Sequence, residues 1–170
     1  MSYLPNVYGG LSLVLFFLSY LSFVPNSLIV IWFFVGLTIT GIYIKKINTL
    51  YLYANKAKET FKQYHQLLAF IENETFISDI LKQKQAEIKI ENQKASQIFL
   101  QLSKILDAFD QRNNMIIGVF ANSFALRDLY HCHRIEQWID TYLEKVHSWF
   151  EVIAFFDAQN SLANFQFNHP

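Results

Sequence analysis

The chain has 170 residues, 52% of them hydrophobic and 17% aromatic, and its 14 basic and 14 acidic residues balance to a net charge of zero. That balance gives no electrostatic footprint for nucleic acid, and one cysteine, Cys132, permits neither an internal disulfide nor a cysteine-rich zinc site. Beyond Gly41 the only glycine is Gly118, which excludes a phosphate-cradling glycine loop in that part of the chain.

No charge precedes Lys45, whereas the remainder has the charge density of an ordinary soluble domain. Residues 7–24 and 27–44 are two apolar runs of 18 residues each. As helices they would be about 27 Å long, close to the thickness of a bilayer core. Pro25-Asn26 between them is a turn signal, so the pair predicts a two-helix transmembrane hairpin. Neither a basic residue before the first run nor a small-residue cleavage site after it marks a signal peptide. Tyr8, Tyr20 and Tyr43, near the run ends, are candidate interfacial anchors. Lys45-Lys46 follows the second run directly, and the excess of cytoplasmic Lys and Arg places that end, and all that follows it, in the cytoplasm. Composition therefore divides the chain into a hairpin, 1–46, and a helical domain, 47–170.

From Lys45 onward there is no proline before Pro170, and helical spacing recurs. Phe61, Tyr64, Leu68 and Ile71 fall on one face; so do Ile98, Leu102, Ile105 and Phe109. A third stripe is Trp138, Tyr142, Val146, Trp149, Ile153 and Phe156. Breaks are expected at Asn73-Glu74-Thr75, around Asn92, and at Arg112-Asn113-Asn114. The first of these helices has no breaker separating it from the second membrane helix. The expected fold is all-α: the hairpin followed by a bundle of long antiparallel helices.

Sequence offers little chemistry. His131-Cys132-His133 resembles a metal cluster, but on a helix the two histidines point about 200° apart. Glu144 and His147 have the Glu-x-x-His spacing of di-iron bundles, and the nearest second pair, Asp128 with His131, uses aspartate. No catalytic residue and no metal or cofactor ligand is expected. Asp107, Asp110, Arg112, Arg127, Asp128, Arg134 and Glu136 lie inside otherwise apolar helical segments and are expected to form structural ion pairs.

The second half also carries an ordered set of blocks: KILDAFDQRNNM (104–115), GVFANSFALRDL (118–129), HCHRIEQW (131–138), SWFEVIAFFDAQNSLANF (148–165) and QFNHP (166–170). Together these resemble the region before the ATPase domain in the DNA mismatch repair MutS family, nearest to its membrane-associated bacterial members. The likeness runs from about His65 to Pro170, and the hairpin extends it. It implies the helical core and lever of a larger ATPase in the bacterial inner membrane, ending before the ATPase domain. Asp157, Ser161, Leu162, Asn164, Phe165, Asn168 and His169 are the motif positions that would meet that domain. ATP and magnesium are implied for that domain alone. Mismatched-DNA binding is implied for full-length relatives, and Phe70-Ile71-Glu72 matches their Phe-x-Glu motif in spelling only, since it falls on a helix. Expected partners are the lipid bilayer, the ATPase domain and a second copy of the chain; duplex DNA is not expected to bind residues 45–170 alone. The competing expectation is a self-contained membrane-tethered helical scaffold.

Overall fold

The computed structural model describes residues 3–89 and 93–169. The protein is all-α: α1 (Leu4–Tyr20), α2 (Ser27–Asn73), α3 (Asp79–Ala86), α4 (Ala95–Asp110), a 3-10 turn (Gln111–Asn113), α5 (Met115–Ala125) and α6 (Arg127–Asn168). Among the described residues, strand-like pairing is confined to one isolated bridge between Lys89 and Lys94. Among the described residues one helix, α2, is long and apolar enough to cross a membrane; α1 and α5 are shorter apolar helices.

Local chemistry explains most of the boundaries. α1 stops at Tyr20, earlier than its apolar run, because Ser22 adopts a left-handed φ of 60°. The Ser19 hydroxyl then donates to Asn26 Oδ1 at 2.6 Å across the connection. α2 continues for 47 residues to Asn73 without interruption, as the absence of a breaker requires. At its end, Gln85 Nε2 donates to the Ile71 and Glu74 carbonyls, both at 2.7 Å, satisfying acceptors that a helix terminus leaves free. The expected break around Asn92 lies outside the described residues. The one at Arg112-Asn113-Asn114 is the 3-10 turn, after which Asn114 Oδ1 accepts from the Ile117 amide and caps α5. A further break separates α5 from α6 at Leu126, whose φ is 47°.

The helices pack into two compact units, Met1–Ala57 with Ile105–Gln137, and Lys58–Lys104 with Trp138–Pro170. This is a division by packing, different from the 46/47 division by charge, and α2, α4 and α6 contribute residues to both units.

In the first unit α5 lies against α1 and α2. A Cβ on Gly36 would stand 2.1 Å from the Ser123 carbonyl oxygen, so only glycine admits this approach of backbone to backbone. The Tyr8 hydroxyl lies 2.7 Å from the Trp32 carbonyl and 3.1 Å from that of Ser123, while its ring stacks on Trp32. Ser12 accepts from Trp32 Nε1 at 2.8 Å and donates to the Phe124 carbonyl at 2.6 Å. Two side chains of α1 thus satisfy the last carbonyls of α5. Tyr8 is consequently buried rather than an interfacial anchor, whereas Tyr20 is exposed.

The second unit has an aromatic core. Phe99, fully buried, has ring neighbours in Phe61, Trp138, Trp149 and Phe150. The third stripe faces this core: Trp138, Val146, Trp149, Ile153 and Phe156 are buried, whereas Glu144, Lys145, Glu151 and Asp157 are exposed. Glu72 accepts from both the amide and the hydroxyl of Ser96, capping the start of α4 from α2. The Phe70-Ile71-Glu72 triplet is therefore a structural element: Ile71 is buried and Glu72 is a cap.

Candidate functional site

The charged residues of the first unit gather where α4, the 3-10 turn and the start of α6 meet. Arg112 Nε lies 3.2 Å from Asp128 Oδ2, with both side chains largely buried. Arg112 NH2 donates to Asn48 Oδ1 at 2.9 Å, and its guanidinium lies over the rings of Tyr51 and Phe109. Asp110 accepts from the Tyr51 hydroxyl at 2.6 Å and from Asn113 at 2.9 Å. That bond to the carboxylate is the main reason the Tyr51 phenol is held above its usual pKa. The Asp128 amide is bonded to Asn122 Oδ1 at 2.8 Å. Burial pushes the Asp128 carboxyl up, against the opposing pull of Arg112 and Asn122.

The remaining predicted ion-pair residues have other partners. Arg127 donates to the Ala108 carbonyl at 3.2 Å and to Gln111 at 2.6 Å. Arg134 donates to the Tyr130 hydroxyl at 3.1 Å, and Glu136 pairs with Lys46 at 3.0 Å in an exposed bridge. Asp107 lies on the exposed face of α4. Sequence adjacency thus did not reveal which charges meet. Neighbours on a helix diverge by about 100°, and the buried pair joins the turn before α5 to the start of α6.

His131 is buried beside Phe109, and Arg127 Nε approaches its Nε2 at 3.4 Å. Burial, aided by Arg127 and Arg134, lowers its pKa to about 4, so the imidazole is neutral at pH 7 and serves as an acceptor. Cys132, also buried, is pushed up to about 12 by burial and by the Asp128 and Glu136 carboxylates. A thiol so disposed is protonated at pH 7. Among the described residues no three His, Cys, Asp or Glu side chains converge on a point that could hold a metal. His147 instead approaches Glu151 at 3.6 Å on an exposed face, and Glu144 is also exposed. The contacts of Arg112, Asp110 and Asp128 hold α2, α4, the 3-10 turn and the start of α6 together.

In the second unit a groove of about 390 Å³ lies among Tyr64, Phe70, Phe76, Phe150, Phe156 and Asp157. Beyond it α6 continues as helix through Asn168, with Asp157, Ser161, Leu162, Asn164, Phe165, Asn168 and His169 all exposed. Leu162 is 62% exposed, Phe165 64% and Phe167 84%, too much apolar surface to be a core-facing stripe. The polar motif residues bond within the helix: Asn168 Nδ2 donates to the Asn164 carbonyl at 2.8 Å, and the His169 ring stacks on Phe165 at 4.6 Å. No family model, no curated protein and no solved structure matches the chain.

Proposed function

We propose that the chain is a membrane-anchored helical transducing segment, without a catalytic centre of its own, that serves a MutS-related ATPase. The observation that carries the anchor is α2. It contains an 18-residue window of mean hydropathy 2.2 of which only 11% is buried, whereas a soluble core helix of that composition would be mostly covered. The same helix goes on, unbroken, into the aromatic core of the second unit. α1 turns back beside α2 as the other arm of a hairpin, and Leu13, Phe17, Val30 and Phe34 are the lipid-facing side chains. α5 joins them: Met115, Ile116 and Phe120 are 81%, 72% and 56% exposed, an apolar surface that water disfavours and lipid accommodates. Hydrocarbon also demands that backbone polar groups be satisfied internally, which Tyr8 and Ser12 do for the end of α5. Lys45 and Lys46 mark the cytoplasmic face of the bacterial inner membrane.

The MutS-related reading rests on the sequence blocks and gives the exposed end of α6 a purpose. Leu162, Phe165 and Phe167 form the contact with an ATPase domain, and the helix carries its nucleotide-driven movement to the anchor. Isolation from native membranes tests both halves. The protein should stay with the membrane through a high-salt wash, because apolar insertion is insensitive to screening. It should also be found joined to, or bound to, a polypeptide with a strand, a glycine-rich loop and a helix bearing Lys-Ser/Thr. Release by salt ends the anchor reading; a washed, membrane-bound isolate without ATPase ends the MutS-related one.

A further inference from the structure

In the first unit, α2, the 3-10 turn, α5 and the start of α6 line an open cleft of about 300 Å³. It is lined by the apolar side chains of Leu37, Ile44, Met115 and Val119 and by four polar ones, Thr40, Arg112, Asn122 and Asp128. Thr40 is 6% exposed, yet its hydroxyl has no hydrogen-bond partner among the described residues. Arg112 uses Nε for Asp128 and NH2 for Asn48, which leaves NH1, buried and likewise without a partner. A hydroxyl and a guanidinium N–H buried without acceptors cost a folded chain free energy unless something supplies oxygen lone pairs.

We propose that this cleft binds the phosphate of a phospholipid headgroup, with Thr40 Oγ1 and Arg112 NH1 donating to its oxygens. Guanidinium N–H groups match phosphate oxygens in geometry and charge, and Asp128, the acidic wall, is already engaged by Arg112 Nε. Depth selects the lipid over a free anion. Thr40 and Ile44 lie in the last turns of α2 before Lys45-Lys46, the headgroup level in the membrane reading on which this proposal rests. The acyl chains then run from the site toward the bilayer interior along Leu37 and Val119, walls that suit hydrocarbon and would offer inorganic phosphate nothing.

The test compares the full chain, purified in detergent, with Thr40→Val and Thr40→Ser by native mass spectrometry. The probes are dioctanoyl phosphatidylglycerol, dioctanoylglycerol and inorganic phosphate. The wild type and Thr40→Ser should each hold one phosphatidylglycerol, and Thr40→Val should bind it about tenfold more weakly. Both other probes should bind at least about tenfold more weakly than the lipid. Because the hydroxyl has no partner among the described residues, Thr40→Val should melt no lower than the wild type, so weakened binding would not report misfolding. Equal lipid affinity of the wild type and Thr40→Val overturns the site, and inorganic phosphate binding as tightly as the lipid overturns the lipid assignment. The anchor reading is scored separately in the same preparation: Thr40→Val should still resist the salt wash, whether or not it has lost lipid.

Discussion

Replacing Trp149 with alanine is expected to destabilise the protein by about 3–5 kcal/mol, through lost transfer energy and the cavity left behind. Trp149 is 2% exposed, and its ring lies 5.6 Å from that of Phe99, itself fully buried, so neighbours cannot fill the space without disturbing the whole cluster. For a chain of this size that loss corresponds to a fall in melting temperature of roughly 10 °C. Lys145→Ala, one turn earlier on the exposed face, should stay within about 0.5 kcal/mol. Thermal unfolding in detergent, followed by helical circular dichroism, measures both. Similar small shifts for the two variants would mean that the aromatic stripe does not hold the second unit together.

The other large effect is expected at Gly36. Valine there would place its Cβ 2.1 Å from the Ser123 oxygen and 2.6 Å from the Ser123 carbonyl carbon. Both obstacles are backbone, so no rotamer change relieves the clash, and α5 must move away from α2. That movement also breaks the bonds from Tyr8 and Ser12 to the last carbonyls of α5. Overpacking and two broken buried hydrogen bonds together should cost about 3 kcal/mol or more. Gly41→Ala is the control, because a Cβ at Gly41 meets nothing within 4 Å. If Gly36→Val unfolds at the same temperature as Gly41→Ala, the close approach of α2 and α5 is not a feature of the folded protein.

Helical periodicity made the second unit legible in the sequence. Trp138, Val146, Trp149, Ile153 and Phe156 face its core because one stripe of a helix must be buried, and the stripe is visible without knowing its partner. The continuity of α2 was equally visible, since no Pro or Gly interrupts residues 42–73. Leu126 was not. A helix usually ends in the left-handed conformation at Gly or Asn, and leucine there costs roughly 1–2 kcal/mol of backbone strain. Its side chain is fully buried, which offsets that strain by a contact no local pattern encodes.

The candidate site was legible in its membership and opaque in its wiring. Charges inside apolar segments marked Arg112 and Asp128, but the residues beside them in space, Thr40 and Asn48, come from α2, far away in sequence. Gly36 and Ser123 are a similar pair, 87 positions apart by their numbers, and each is ordinary within its own helix. The apolar run of α5 is too short to register as a span, so its likeness to α1 and α2 emerges only once its exposed Met115, Ile116 and Phe120 are seen.

The proposal that α2 passes from lipid into cytoplasm as one helix is best tested by single cysteines placed along it in a Cys132→Ser background. Val30, Phe34, Ile42, Tyr53 and Leu67 are all exposed in the folded chain, so protein packing shields none of them and lipid alone can distinguish them. With a membrane-impermeant maleimide applied to inside-out vesicles, cysteines at 53 and 67 should label quickly, and those at 30, 34 and 42 at least about tenfold more slowly, since thiolate chemistry requires water. Labelling at 34 as fast as at 53 and 67 would contradict the account, because the apolar half of α2 would then stand in water.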